Sequence, residues 1–172
     1  MKKIILLGYM GSGKTTIAKL VSEKLEISCF DLDNLIENET KLSVQTIFKQ
    51  KGEIYFRKIE SQIFKKTITQ EGCFILSLGG GTPCYAENHL LLNSENVISI
   101  YLKASIDTLY NRLLIDKKQR PLVADKSEDE LKEFIAKHLF ERSFFYNQTT
   151  FKIAIDDKRP HEIVSEIMKV LI

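Results

Sequence analysis

Apolar side chains gather into five short runs, Lys3–Leu7, Ser28–Leu32, Phe74–Leu78, Val97–Leu102 and Phe151–Ile155, with helix-spaced apolar positions between them. Short runs without strict alternation are the mark of strands buried on both faces, since neither face then needs polar side chains. Five such strands alternating with helices predict an α/β chain, a doubly wound parallel sheet between helical layers. The helix punctuation agrees. Ser43 is placed to cap a segment reaching Lys49, and Gly52 opens a helix running to about Thr69. Ser127 and Glu130 form an S-x-x-E capping box for a helix towards Arg142, and Pro160 suits the first turn of the last helix. Between Asp116 and Lys126 the periodicity fails and charge rises, which predicts a surface loop long enough to act as a lid.

At 172 residues the chain has the usual size of one domain, with no internal repeat or low-complexity tract. Its charge is nearly balanced, 25 Lys and Arg against 23 Asp and Glu, so no general electrostatic footprint for nucleic acid or an anionic membrane is expected. Three cysteines, Cys29, Cys73 and Cys84, show no C-x-x-C spacing and suit a reducing cytoplasm better than a disulfide framework. The apolar run after Met1-Lys2-Lys3 ends at Gly8, too soon for a secretory leader, and no stretch of about 18 apolar residues suggests a membrane span. A soluble, unprocessed protein is expected.

Candidate chemistry starts at Gly8-Tyr9-Met10-Gly11-Ser12-Gly13-Lys14-Thr15, a complete G-x-x-x-x-G-K-[ST] loop set between the first strand and a helix-patterned segment from Thr16 to Leu25. Glycines there let successive backbone N–H groups turn inward on phosphates, and the following helix adds its positive end. Gly11, Ser12, Gly13, Lys14 and Thr15 are therefore expected to hold a nucleoside triphosphate, with Lys14 on the β- and γ-phosphates and Thr15 on Mg²⁺. Thr16 reads equally well as a helix residue and as a ligand.

Ligands of open parallel sheets collect beyond the carboxyl ends of the strands. The second run ends in Asp31-Leu32-Asp33, and on a strand residues two apart share a face, so both carboxylates are expected to point at the phosphate loop. A magnesium nucleotide would offset their repulsion, with Asp31 on the metal side and Asp33 orienting or deprotonating an acceptor hydroxyl. The alternative reading of Asp33 is a cap on the helix starting near Asn34. The third run ends in Gly79-Gly80-Gly81 without an acidic residue, leaving the metal-side duty to Asp31, with Ser77 as a weak helper, and leaving bare backbone to approach a small ligand. Arg57 lies one turn after Glu53 and one before Glu60, which fits a helix-surface ion pair or a bidentate clamp on a carboxylate equally. Arg112, Arg120, Arg142 and Arg159 are further basic positions, Arg120 within the lid-like loop. His89, His138 and His161 are scattered and suggest no chemistry.

The ordered set of the phosphate loop, Phe30-Asp31-x-Asp33, Gly52-Glu53-x-x-Phe56-Arg57, Gly79-Gly80-Gly81, Arg120-Pro121-Leu122, Arg142-x-x-x-Tyr146 and Arg159-x-x-x-Ile163 resembles the shikimate kinases over nearly the whole chain. That resemblance implies a P-loop kinase fold of the nucleoside-monophosphate-kinase type, three-layer α/β/α, with strand order 2-3-1-4-5 and a mobile lid. It implies one domain over residues 1–172, with an acceptor-binding segment at about 33–61 and a lid at about 112–127. It further implies transfer of the ATP γ-phosphoryl group to the 3-hydroxyl of shikimate by a cytoplasmic monomer with Mg²⁺, and no nucleic acid or membrane partner. Lys14 and Arg120 would then meet the transferring group, and Thr15 and Asp31 would serve the metal. Asp33 would bind the acceptor hydroxyls, Gly80 and Gly81 the ring hydroxyls, Arg57 and Arg142 the carboxylate, and Arg112 and Arg159 the adenine region. The alternatives are a kinase for gluconate or a nucleoside monophosphate, or an ATP-binding regulatory module; Asn-Lys-x-Asp, the guanine reader of GTPase switches, is absent.

Overall fold

The computed structural model describes residues 2–116 and 123–171. In chain order these form β1 (Lys3–Leu7), α1 (Lys14–Leu25), β2 (Ser28–Asp31), α2 (Leu32–Thr40), α3 (Val44–Ile68), β3 (Phe74–Ser77), β4 (Val97–Lys103), α4 (Ile106–Asp116), α5 (Glu128–Tyr146), β5 (Phe151–Ala154) and α6 (Pro160–Leu171). Two 3₁₀ turns, Thr82–Cys84 and Asn88–Asn93, lie between β3 and β4. The strands make one parallel sheet in the order β2-β3-β1-β4-β5, flanked by helices in three layers, the strand order that the resemblance implies.

Burial explains the sequence pattern. Central β1 has Ile5, Leu6 and Leu7 wholly out of solvent, whereas edge strands β2 and β5 keep partly exposed positions. Helices feed the core with pairs four apart, Ile17 and Val21, Leu109 and Leu113, Leu131 and Ile135, Ile163 and Ile167, which is one face of a 3.6-residue period. The expected caps are present: Ser43 accepts from the Thr46 amide at the start of α3, and Ser127 and Glu130 close a reciprocal capping box on α5.

Two local readings change. Strand β2 stops at Asp31, whose side chain accepts the Asp33 amide at 3.0 Å and caps α2. Asp33 therefore sits in the first turn of a helix and not two places along a strand, and the capping alternative weighed for Asp33 belongs to Asp31. The segments expected on either side of Gly52 run together as α3, broken at Gly52 itself (φ 82°, ψ 171°). That backbone conformation is open only to glycine, so the break is written into the residue. Among the described residues no helix is long and apolar enough to cross a membrane.

Candidate active site

Because every strand runs the same way, all five carboxyl ends meet at one edge of the sheet. The register sets Asp31 beside Ser77 and Ser77 beside Leu6, so the end of β2, the glycines after β3 and the loop after β1 open side by side. A cavity of about 540 Å³ occupies this edge, within the range of small-molecule sites. Its lining includes Gly11, Gly13, Lys14, Thr15 and Thr16 from the phosphate loop and α1, Asp31 and Asp33, Ser77 to Gly80, and Arg112.

Helix α1 starts at Lys14 with Gly13 at its cap position and no side-chain cap, unlike α2, α3 and α5. Its first amides are thus not taken by a side chain, the condition for binding an anion there. Lys14 Nζ folds back onto the carbonyls of Gly8 and Tyr9 at 2.9 and 3.0 Å, inside the cavity wall. The Thr15 hydroxyl donates to Asp31 Oδ2 at 3.0 Å. A hydroxyl and a carboxylate side by side are hard oxygen donors, and no cluster of three His, Cys, Asp or Glu residues among the described residues makes a complete protein cage. That sparse pair fits Mg²⁺, which keeps most of its water and phosphate ligands.

Asp33 is half-buried, and its carboxyl is pushed up to about 6. Burial is the main cause, followed by the Asp31 and Glu60 carboxylates, while the Lys14 charge pulls the other way. A carboxyl poised near neutrality can hold or release a proton under working conditions.

Arg57 sits on α3 after the Gly52 break. Its Nη1 donates to Glu60 at 2.9 Å, its Nε reaches Glu53 at 3.4 Å, and its guanidinium stacks on Tyr85 at 4.2 Å. Glu60 is only 1% exposed and also accepts from the Thr82 hydroxyl at 2.7 Å, and Asn88 in turn donates to the Thr82 carbonyl. Arg57 is consequently held from three sides and pressed on Gly81, where a Cβ would lie 2.6 Å from Nη2. Only glycine permits that approach. On the neighbouring glycine, a Cβ at Gly80 would lie 3.2 Å from Arg142 Nη1. Arg142 Nη1 is buried and without a hydrogen-bond partner among the described residues, a cationic donor in need of an acceptor. One turn on, Tyr146 donates to the Gly80 carbonyl. Cys84 lies near both arginines; burial raises its thiol to about 11 despite their charges, so it is an inert thiol.

Arg57 and Arg142 thus converge on adjacent glycines, Gly81 and Gly80, the second of which lines the cavity holding Lys14 and Asp33. Arg112 donates to the Gly11 carbonyl at 3.2 Å and lies across the phosphate loop. Arg159 is exposed, pairs with Glu162 and does not line the cavity. Ser12 is buried within the loop, its hydroxyl unpartnered among the described residues. Arg120 lies outside the described residues, as does most of the expected lid. Sequence reasoning passed over the buried Glu60–Thr82 contact and Tyr9, since nothing in a linear pattern distinguishes a buried ion-pair partner from a solvated one.

A family model described as shikimate kinase matches residues 10–172. A shikimate kinase of Flavobacterium psychrophilum is 55% identical over 171 residues, 99% of each chain. Among solved structures, a shikimate kinase from Bacteroides thetaiotaomicron superposes with TM-score 0.91 at 34% identity, covering 99% of this chain and 98% of that one. A shikimate kinase from Acinetobacter baumannii in complex with shikimate superposes with TM-score 0.88 at 26% identity, covering 99% and 93%.

Proposed function

The chain belongs to the shikimate kinase family, and we propose on that footing that it transfers the γ-phosphoryl group of ATP to the 3-hydroxyl of shikimate, in the route to chorismate and the aromatic amino acids. The observation that carries this reading is the cavity lined by Lys14, Asp33 and Gly80, with Arg142 packed against Gly80 and Arg57 against the next glycine, Gly81, just outside that lining.

The acceptor's carboxylate is gripped by Arg57 and Arg142, a charge-assisted pairing that the unpartnered Arg142 Nη1 suits. Backbone groups of Gly80 and Gly81 meet the ring hydroxyls. Asp33 receives the proton of the attacking hydroxyl as its oxygen bonds to the γ-phosphorus and the bond to the ADP oxygen breaks. Its raised pKa keeps it basic enough for that task near neutrality. Lys14 leaves the Gly8 and Tyr9 carbonyls for the phosphates, and the α1 amides hold the phosphate oxygens; most of the catalysis is positioning and charge stabilisation. Thr15 and Asp31 would hold Mg²⁺, which supplies neutralisation of phosphate charge. Thr16 and Arg112 border the same nucleotide site, with Ser12 inside its loop. Arg120, from a lid at about 112–127, would add positive charge to the transferring group, and Arg159 would flank the adenine.

The chain is read as one kinase domain over residues 1–172 with its acceptor segment at about 33–61. The working unit is read as a monomer, and three free cysteines support a cytoplasmic setting. The test is ADP release with shikimate, gluconate, AMP, CMP or water as the acceptor. Release stimulated by shikimate alone is expected; stimulation by gluconate or a nucleotide, or release independent of acceptor, would overturn the proposal.

A further inference from the structure

We propose that Tyr9, anchored by His138, is a positioning residue that orients Arg142 for the acceptor carboxylate. Tyr9 occupies a free position of the phosphate-loop motif, one that phosphate binding leaves unspecified. The chain nevertheless buries it to 1% exposure and gives it three separate contacts. Its carbonyl accepts from Lys14 Nζ at 3.0 Å. Its ring stands 5.4 Å from the Arg142 guanidinium, within cation–π range. Its hydroxyl is 3.1 Å from His138 Nδ1.

The direction of that last hydrogen bond follows from protonation states. Burial pushes the Tyr9 hydroxyl up to about 12, so it keeps its proton and donates. Burial, and then the Arg142 charge, holds His138 below its ordinary value; the neutral ring accepts at Nδ1 and carries its proton on Nε2. His138 is itself stacked on Phe134 at 4.1 Å, so the anchor is fixed by packing. Tyr9 is thereby held at both ends, by the backbone of the loop and by α5, and its face is presented to Arg142.

This matters because Arg142 has a buried Nη1 with no partner among the described residues. The guanidinium also hydrogen-bonds the Tyr146 side chain, which leaves the Nη1 half without a hydrogen bond to orient it, and the Tyr9 face supplies a plane for that half to rest on. Arg57 has no such need, being held by Glu60 and Tyr85. One residue of the phosphate loop therefore touches both the lysine of the nucleotide end and the arginine of the acceptor end.

The proposal rests on the reading that Arg142 grips the acceptor carboxylate, so the experiment separates the two. KM for shikimate, KM for ATP, kcat and Tm are measured for the wild type, Tyr9→Leu, Tyr9→Phe, Arg142→Ala and the Tyr9→Leu/Arg142→Ala pair. Tyr9→Leu should raise the shikimate KM about tenfold and the ATP KM less than about twofold, with Tyr9→Phe, which keeps the ring, near threefold. In the double variant Tyr9→Leu should add nothing to Arg142→Ala, because it acts through that arginine. If Arg142→Ala leaves the shikimate KM unchanged, the underlying reading fails. If Arg142→Ala raises it but Tyr9→Leu does not, or the two effects multiply in full, the role given to Tyr9 is overturned. Should Tyr9→Leu fail to fold, Tyr9→Phe decides: a selective rise in the shikimate KM supports positioning, and equal changes in both KM values refute it.

Discussion

Asp33 offers the sharpest test of the chemistry, because its environment affects activity and stability in opposite directions. Its carboxyl is displaced from the ordinary aspartate range to about 6, first by burial and then by the Asp31 and Glu60 charges. With both substrates below their KM values, the pH profile refers to the free enzyme, and an essential base of this kind predicts an acid limb centred near pH 6. Below it kcat/KM should fall about tenfold per pH unit, since Asp33 is about nine-tenths ionised at pH 7 and one-tenth at pH 5. The stability contribution has the reverse sign. The fold prefers the protonated carboxyl, so the favourable contribution is complete below the unfolded aspartate pKa and is lost as pH rises through about 6. A displacement of this size amounts to about 3 kcal/mol at full weight, which solvent screening at a half-buried group reduces to about 1–2 kcal/mol. Asp33→Asn should therefore bind ATP, lose turnover by about 10²–10⁴-fold, and at pH 7 unfold at a higher temperature than the wild type, the advantage vanishing near pH 4. The assays are coupled ADP release from pH 5 to 8 and thermal unfolding of both proteins across pH 4 to 8. A wild-type acid limb absent above pH 5, or wild-type turnover in Asp33→Asn, would refute the reasoning.

Three other outcomes are expected. Arg57→Lys should raise the shikimate KM about 10–100-fold and leave ATP binding nearly unchanged, because an ammonium cannot make two parallel charge-assisted bonds; equal losses for both ligands, read by steady-state kinetics, would assign Arg57 to folding. Gly81→Ala brings a methyl within 2.6 Å of Arg57 Nη2, the movable end of a side chain, so the shikimate KM should rise about tenfold with Tm nearly constant. Gly52→Ala meets no atom within 4 Å, so any loss is backbone strain; about 1–3 kcal/mol, or a fall in Tm of about 3–10 °C, should appear in a thermal melt.

Much of this protein follows from local pattern. Strands buried on both faces must be continuously apolar, which is why all five runs coincide with strands to within a residue or so at their ends. The phosphate loop was legible because its chemistry is local: the amides, the lysine and the hydroxyl lie on eight consecutive residues. The caps at Ser43 and Ser127 are local as well, each side chain bonding an amide three residues on. That Asp33 lies at the strand-end cavity was legible but not that it is a helix residue, since the choice between another strand residue and a cap is made by where the Asp31 oxygen turns.

Tertiary packing decided what depends on residues distant in the chain. Whether Arg57 is a surface ion pair or a held guanidinium turns on the burial of Glu60 and on Thr82, 25 residues after Arg57, and neither can be seen along one helix. His138 looked like a scattered histidine until the fold set it 129 residues from its partner Tyr9 and within reach of the phosphate loop. The sequence by itself determined which segments become strands and helices and where phosphate can be held, because those outcomes depend on neighbours a few residues away. Only the folded structure decided which charges are desolvated and which groups share one cavity, because solvation and distance between remote residues are set by the packing of the whole chain.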